Sequence, residues 1–368
     1  MIPVFRPSYN NKEVEAVKKV LLSGWIGLGP KTKEFEEEFA KYIGTKYAVA
    51  LNSCTAALHL ALKVLDLENK EIITTPMTFV STNHAILYNK DIPVFTDIEP
   101  DTLCINPEEI KKNITRKTKA IICVHFGGHP CQMDEINKIA KLHNLFIIED
   151  AAHACGAEYK TRRIGTLGDI ACFSFHAVKN LATGDGGMIT TNNEKVYKRL
   201  LKLRWCGISK DTWSRDKNKK YSWYYNVVEA GFKYHMNDIN AVIGLVQLKK
   251  LDWMNGRREV ISQMYNQAFS DLDWIETPTV KNYAKSARHN YVIKTQFRDA
   301  LNIYLQKKGI STGVHYFPNN LYKMYKKYGK KTPVSDKVWK KLLTLPLYPD
   351  LTEKQTRFII KTIKDFKK

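Results

Sequence analysis

The stretch Phe173-Ser-Phe-His-Ala-Val-Lys-Asn-Leu-Ala-Thr-Gly-Asp-Gly-Gly187 holds one lysine, Lys179, between an apolar strand and a glycine-rich turn. Residues 170–175 predict a short buried strand and residues 188–191 a second one. The glycines between them predict a tight turn. Apolar neighbours lower the pKa of an ammonium group, and the neutral amine can then attack a carbonyl carbon. We therefore take Lys179 as the candidate catalytic residue; the alternative is an ordinary solvated loop lysine.

A second feature lies upstream, where an apolar run ends in two carboxylates, Phe146-Ile-Ile-Glu-Asp150, and continues as Ala151-Ala-His-Ala-Cys-Gly156. An aspartate at the end of a buried strand suits a cationic ring nitrogen. Pyridoxal phosphate needs a lysine for its aldehyde, a carboxylate or similar partner for its pyridinium nitrogen, and donors for its phosphate. Lys179 and Asp150 together therefore predict a pyridoxal 5'-phosphate site.

From Pro3 to about Pro318 the chain resembles the DegT/DnrJ/EryC1/StrS family of sugar aminotransferases, a branch of the fold type I pyridoxal phosphate enzymes. The motifs that carry the resemblance are Ser23-Gly-Trp-Ile26, Asn52-Ser-Cys-Thr-Ala-Ala-Leu-His59, Glu149-Asp-Ala-Ala-His153, Phe173-Ser-Phe-His176, Lys179-Asn180 and Gly184-Asp-Gly-Gly187. The resemblance implies a homodimer with active sites at the subunit interface. It also implies that Lys179 binds the cofactor aldehyde and that Asp150 holds the pyridinium proton.

Strands alternate with helices along most of the chain, which predicts an α/β fold with a mostly parallel sheet and helices on both faces. The predicted strands of this region lie at 47–51, 71–75, 94–96, 120–124 and 145–149, and the helices at 11–22, 32–42, 56–65, 80–87, 107–112, 133–142, 194–205 and 239–254. Beyond Trp253 the alternation weakens, and we predict a smaller α+β domain. Its predicted strands are 290–295 and 311–316, and its helices are 299–308, 336–343 and 353–366. We divide the chain into a large cofactor-binding domain, 1–250, and a small C-terminal domain, 251–368.

The turn Asn52-Ser-Cys-Thr55 opens an apolar helix. Serine and threonine at a helix start cap it, and the same geometry directs free backbone N–H groups outward as an anion site. In the family this turn holds the cofactor phosphate, and Thr55 and Ala56 fall on the matching positions. The resemblance adds Ser174 as a second hydroxyl for the phosphate.

Further cofactor contacts follow from the resemblance alone. Phe79 matches the aromatic residue that stacks on the pyridine ring, although a lone aromatic is more often part of the core. His153 matches the residue that bonds the ring hydroxyl. Lys233 stands near the position of an asparagine that reaches the phosphate of the neighbouring subunit. The chain departs from the family pattern at Lys233 and His235, but a lysine can still bind phosphate as a point charge.

The resemblance also indicates a substrate. His176 together with 183–187 is similar to the members that aminate C4, which implies transfer from L-glutamate to a nucleotide-linked 4-keto-6-deoxyhexose. Trp25, in a glycine-rich loop, is a candidate substrate contact or a packing anchor. His315 and Tyr316 resemble the segment that faces the sugar, although a structural histidine fits equally. The family's dehydratases carry histidine in place of the lysine, so Lys179 argues against them.

Three alternatives stay open. The chain could aminate C3 of a keto sugar, or it could aminate a cyclitol. From another class, it could be a non-catalytic basic binding or regulatory protein. Hydrolases and kinases are disfavoured because the chain carries neither a Gly-x-Ser-x-Gly elbow nor a phosphate loop ending in Gly-Lys-Ser/Thr.

The composition is that of a soluble globular enzyme, with 44% hydrophobic residues over 368 positions. The N-terminus does not resemble a signal peptide, and no run of apolar residues is long enough to cross a membrane, so we expect a cytoplasmic protein. The net charge is +21, but the lysines are dispersed and no nucleic-acid-binding motif accompanies them. A positive field would instead concentrate an anionic nucleotide sugar.

Two segments need separate interpretation. Cys123-Val-His-Phe-Gly-Gly-His-Pro-Cys131 holds thiols and imidazoles close together, but its spacing is not a familiar zinc pattern, and we expect no metal. The polar and aromatic stretch 207–223 is longer than an ordinary connection, which predicts a lid or an extended surface loop.

Overall fold

The computed structural model describes residues 1–209 and 225–367. In chain order its strands are β1 (Tyr47–Leu51), β2 (Glu71–Thr74), β3 (Ile92–Phe95), β4 (Thr118–Val124), β5 (Phe146–Asp150), β6 (Glu158–Tyr159), β7 (Arg162–Arg163), β8 (Ile170–Ser174), β9 (Gly187–Thr191), β10 (Ala284–Lys285), β11 (Tyr291–Lys294) and β12 (Leu342–Leu345). Residues 210–224, which include most of the predicted lid or loop, lie outside the described residues.

The helices of these ranges are α1 (Asn11–Leu22), α2 (Pro30–Ile43), α3 (Cys54–Lys63), α4 (Val80–Tyr88), α5 (Pro107–Asn113), α6 (Met133–His143), α7 (Glu194–Leu203), α8 (Asp238–Lys249), α9 (Leu251–Phe269), α10 (Arg298–Lys307), α11 (Pro333–Val338) and α12 (Glu353–Lys364). Short 3₁₀ turns occur at Phe126–Gly128, Asn319–Leu321, Lys323–Tyr328 and Trp339–Lys341. In the described part of the chain, no helix is long and apolar enough to cross a membrane.

A seven-stranded sheet lies at the centre, in the order β1-β9-β8-β5-β4-β2-β3. Its pairs are parallel except where β9 meets β1 and β8. Alternate residues of its strands enter two separate buried clusters, with Ile121 and Ile147 in one and Ile122 and Ile148 in the other. Both faces of the sheet are therefore covered, as expected for runs of apolar residues in parallel strands. The predicted α/β class with a mostly parallel sheet is confirmed.

The C-terminal part is built on a two-stranded antiparallel sheet of β11 and β12, with Tyr291 opposite Leu345. A third buried cluster, which includes Tyr265, Ile293 and Ile363, packs around it. A domain boundary at residue 250 stays a prediction.

Three predicted elements were wrong, two of them in this part and one at its beginning. The expected strand 311–316 forms only a single bridge, between Gly313 and Thr344. The expected helix 336–343 ends early, and Leu342–Leu345 becomes the buried strand β12, because pairing with β11 overrides the local preference. The expected helix 239–254 is two helices, interrupted at Lys250, whose φ of −113° and ψ of 6° leave the helical region.

Candidate active site

A cavity of about 470 Å³ opens where several strands of the parallel part of the sheet end, and we call it the Lys179 cavity. Ligands in open α/β sheets bind at the carboxyl ends of the strands. Nine of the predicted site residues line it, namely Thr55, Phe79, Asp150, His153, Ser174, His176, Lys179, His315 and Tyr316. Strands β5 and β8 and the starts of α3 and α4 thus bring together side chains from distant parts of the chain.

Lys179 and Asp150 line this cavity from different elements. Asp150 is the last residue of β5, and the backbone N–H of Lys179 donates to His176 O in the turn after β8. Lys179 is half-buried, and loss of its hydration lowers its pKa to about 8, although the charges of Cys54 and Asp150 oppose this. An amine with that pKa is partly neutral near physiological pH.

Asp150 is almost completely buried, with 3% of its surface exposed. Its carboxylate accepts hydrogen bonds from Thr82 Oγ1 at 2.7 Å and from the Ala152 backbone N–H at 3.1 Å. Burial raises the pKa of Asp150, and these hydrogen bonds only partly offset it. A cationic group bound in the cavity would therefore stabilise the charged form of this carboxylate.

His153 and Tyr316 form a pair on one wall of the cavity. The backbone N–H of Gly127 donates to His153 Nδ1 at 3.2 Å, so the ring hydrogen sits on Nε2 and is donated to Tyr316 Oη at 3.0 Å. Burial, with the nearby Lys179 charge, holds the pKa of His153 well below its usual range. The pair presents a neutral imidazole and a phenol to the cavity.

The start of α3 forms another wall. Ser53 caps the helix by accepting from the Ala56 backbone N–H at 3.1 Å, and Thr55 faces the cavity. Gly187 packs against this turn, where an added Cβ would lie 2.4 Å from the carbonyl group of Ser53. Only glycine allows β9 to approach so closely, and the helix start is thereby held beside the Ser174 hydroxyl.

Three predicted residues do not line the cavity. The N–H of Ala56 is used in the cap of α3. Trp25 lines a different groove, beside α1, α2 and α8, and its indole donates to Leu28 O at 3.1 Å. Lys233 Nζ lies 3.4 Å from the centre of the Trp205 ring. Within one chain, neither Trp25 nor Lys233 reaches the Lys179 cavity.

The structure adds cavity residues that the sequence did not indicate, among them Phe5, Thr82 and His289. Thr82 lies three residues after Phe79 and so shares its helix face, a spacing that could have suggested it. His289 stands more than a hundred positions from Lys179 in the chain, yet its Nε2 lies 3.4 Å from Lys179 Nζ. No local pattern marks that contact.

The two imidazoles between Cys123 and Cys131 have protein partners. His125 Nε2 donates to Glu149 at 3.1 Å, and His125 Nδ1 accepts from the Cys131 backbone N–H. His129 bonds the carbonyl of Pro130 through one ring nitrogen and the N–H of Lys281 through the other. Within residues 1–209 and 225–367, no group of three or more His, Cys, Asp or Glu side chains is arranged to hold a metal ion.

Comparison with known proteins settles the family. The family model described as the DegT/DnrJ/EryC1/StrS aminotransferase family matches residues 7–364. The chain belongs to that family. As a member it is a pyridoxal phosphate-dependent sugar aminotransferase.

Individual relatives match along their whole length. The Bacillus subtilis spore coat polysaccharide biosynthesis protein SpsC is 41% identical, over 100% of this chain and 97% of its own. The structure of Spr1654 from Streptococcus pneumoniae in its PMP form is 33% identical and gives a TM-score of 0.93, covering 99% and 98% of the two chains; a PLP form of the same protein is also known. The sugar aminotransferase CalS13 from Micromonospora echinospora is 29% identical, with a TM-score of 0.92 and 99% of each chain covered.

Proposed function

We propose that this sugar aminotransferase moves an amino group from L-glutamate to a nucleotide-linked 4-keto-6-deoxyhexose, giving a 4-amino-4,6-dideoxy sugar. The observation that carries the proposal is the Lys179 cavity, in which a low-pKa amine and a buried carboxylate face one space. A cavity of about 470 Å³ is within the usual range for a small-molecule site.

The residues around the cavity fit pyridoxal phosphate. Asp150 is a buried acid with room for a cationic ring nitrogen, Lys179 offers an amine for the aldehyde, and the start of α3 with Thr55 and Ser174 offers donors for the phosphate. Phe79, at the start of α4, offers an aromatic face. When bound, the cofactor supplies an electrophilic carbon and a ring that accepts electrons from the substrate carbon.

Lys179 is the proposed catalytic residue because it can both bond to carbon and carry a proton. With its pKa lowered to about 8, roughly a tenth of the amine is neutral at pH 7, and the neutral amine can accept a proton from the substrate carbon and return it to another atom. Asp150, as a carboxylate, would hold the proton on the ring nitrogen. Its hydrogen bond from Thr82 Oγ1 fixes the direction of the carboxylate.

A homodimer is part of the proposal, and the positions of Trp25 and Lys233 in one chain support it. Both side chains lie outside the Lys179 cavity. If they contact the ligand, as the family pattern implies, they must do so from a partner subunit. A catalytically active species that stays monomeric in solution would contradict this part.

The Lys179 cavity presents two histidines that can form hydrogen bonds with the hydroxyl groups of a sugar. His176 is exposed at its mouth, and His315 lines it with a pKa lowered to about 4 by burial and by Lys179, so His315 is a neutral hydrogen-bonding group. The chain's net charge of +21 favours a substrate with a nucleoside diphosphate. SpsC, by its name, acts in polysaccharide biosynthesis, which is in keeping with a sugar substrate.

The test is an amination assay with purified protein, pyridoxal phosphate, L-glutamate and 4-keto and 3-keto sugars carried on UDP, dTDP or GDP. We expect a product whose carbon spectrum shows nitrogen at C4, and we expect Lys179→Ala to lose activity by about 10³-fold or more while remaining folded. Nitrogen at C3, or no turnover of any of the 4-keto sugars, would refute the proposed substrate. Normal turnover by Lys179→Ala would refute the mechanism.

A further inference from the structure

His289 is a residue that the sequence did not indicate, and its Nε2 lies 3.4 Å from the Lys179 amine. It lies two residues before β11, and only 3% of its surface is exposed. Phe5 stacks on it with parallel rings 5.4 Å apart, and His153 lies near it with ring centres 4.3 Å apart. Its backbone N–H donates to Gly127 O. The imidazole therefore packs against two other rings, which restricts its rotation.

The hydrogen bonds beyond His289 determine which ring nitrogen carries the hydrogen. Asn255 Nδ2 donates to Cys155 O, which leaves Asn255 Oδ1 as an acceptor. Asn180 Nδ2 donates to that oxygen and to Ala287 O, each at 2.7 Å. Asn180 Oδ1 is thus the atom that faces His289 Nδ1, at 3.0 Å, and the imidazole must donate. His289 Nε2 is left without a hydrogen, and it faces Lys179 Nζ at 3.4 Å.

The same surroundings keep His289 neutral. Its pKa is held well below the usual range by burial, and the charges of Lys179 and Arg258 act in the same direction. Asn180 is an amide, so it cannot stabilise an imidazolium as an aspartate would, and it cannot pass a proton onward. His289 therefore neither takes the proton from Lys179 nor relays it. What it offers is a fixed acceptor.

We propose that His289 is a positioning residue for the catalytic amine: its Nε2 accepts a hydrogen bond from Lys179 Nζ and fixes the place of that nitrogen whenever it is not bonded to carbon. This inference rests on the proposed role of Lys179. A free lysine side chain has several rotatable bonds and about 2 kcal/mol of rotamer entropy to lose. His289 Nε2, held on a packed ring, accepts one N–H of Lys179. The other hydrogens or the lone pair of Lys179 Nζ can then face the cavity.

The positioning role predicts a specific effect on titration of the amine. A hydrogen bond accepted from an ammonium group stabilises its charged form, so removal of the acceptor should lower the pKa of Lys179. Asp150 and Cys54 act on the same amine from other elements, with the opposite sign to burial, and both stay in place in the variants below. His153 and His315 also face it and are left unchanged.

The experiment is pulse labelling with isotope-coded acetic anhydride across neutral and alkaline pH, read by mass spectrometry on the peptide that contains Lys179. The full chain is loaded with pyridoxamine phosphate, a form in which no lysine is bonded to the cofactor. In His289→Leu we expect the labelling midpoint to fall by about one pH unit. In His289→Gln, whose amide oxygen keeps an acceptor, we expect a midpoint close to that of the unchanged protein.

A midpoint for His289→Leu equal to that of the unchanged protein would overturn the inference, as would equal shifts in the Leu and Gln variants. Phe5→Leu serves as the matched control, since it loosens the packing of His289 but keeps Nε2, and its midpoint should stay in place. If His289→Leu does not fold, ¹⁵N-histidine spectra of the unchanged protein still test the idea. They should show His289 neutral with its hydrogen on Nδ1; a hydrogen on Nε2 would contradict it.

Lys179→Ala, assayed in the same set, separates the two possible failures. Full amination by that variant would refute the proposed function. Loss of amination by Lys179→Ala, together with an unshifted midpoint in His289→Leu, would leave the proposed function standing and would refute the positioning role alone.

Discussion

Glu149 and Asp150 are adjacent carboxylates on β5, both buried, and their surroundings differ sharply. Glu149 accepts hydrogen bonds from His125 Nε2 and from the backbone N–H groups of Gly165, Leu167 and Gly168, at 2.7 to 3.2 Å. Asp150 faces the cavity and accepts two hydrogen bonds, from Thr82 and Ala152. Successive side chains of a strand point to opposite faces, so neighbours in sequence serve different regions.

The pKa shifts of the two groups follow from this difference. Burial alone would raise the pKa of Glu149, but the hydrogen bonds from His125 and the backbone outweigh it and lower the pKa. Burial raises the pKa of Asp150 because its fewer donors do not compensate. Glu149 has its hydrogen-bond donors within the protein and has a structural role. Asp150 has fewer donors and can still bind a cationic group of a ligand.

The largest expected effect is on catalysis, at Asp150. In Asp150→Asn the ring nitrogen would lose its anionic partner, and we expect kcat/KM to fall by about 10²- to 10³-fold. Stability should stay the same or rise at neutral pH, because a carboxylate with a raised folded pKa costs free energy when it is charged. Steady-state kinetics and denaturant unfolding measure the two effects. Unchanged rates would mean that Asp150 is only the end of a strand.

The next effect is on stability, at Glu149. In Glu149→Gln the backbone N–H groups lose an anionic acceptor, and we expect the free energy of unfolding to fall by about 3 kcal/mol. The folded fraction should still bind cofactor, which an absorbance titration would show. If Glu149→Gln lost as much activity as Asp150→Asn and no stability, the structural role of Glu149 would be contradicted.

At acid pH, the difference in the free energy of unfolding between Glu149→Gln and the unchanged protein should become smaller. The folded pKa of Glu149 is lowered, so its contribution to stability is present at neutral pH and is lost as the pH falls through that lowered pKa. Unfolding curves recorded at successively lower pH should therefore converge. A gap that stays constant into strong acid would show that the Glu149 charge is not its source.

The smallest effect is expected at Thr82, whose hydroxyl is the only side chain that donates to Asp150 among the hydrogen bonds described. In Thr82→Val this hydrogen bond is lost, and we expect the interaction of Asp150 with the cofactor ring to weaken by about 1 kcal/mol. This corresponds to about a fivefold fall in kcat/KM. Thr82→Ser keeps the hydroxyl and is the matched control. Equal losses in both variants would show that packing, not the hydrogen bond, is responsible.

Parts of this comparison could be predicted from sequence. Residues 146–150 show a buried strand ending in acid, and the glycines after Lys179 show a tight turn, so both ends of the site were expected where the structure has them. The contrast between Glu149 and Asp150 depends on which face each residue occupies and on donors from the 165–168 loop. Neither of these can be inferred from the local pattern.

Other features depend on long-range contacts and were missed for that reason. His289 and Phe5 meet Lys179 only after the chain has folded back from both ends. Leu342–Leu345 shows no alternation and becomes a strand only because β11 pairs with it. Trp25 and Lys233 were expected near the ligand from family motifs, and within one chain both lie outside the Lys179 cavity.

The central claim is that the amine of Lys179, facing the buried carboxylate of Asp150, is the group that bonds to the cofactor. Borohydride reduction of the protein with pyridoxal phosphate bound, followed by peptide mapping, tests it directly. We expect the reduced cofactor on Lys179 alone and none on Lys179→Ala. Attachment to another lysine, or equal attachment in Lys179→Ala, would contradict this role of Lys179.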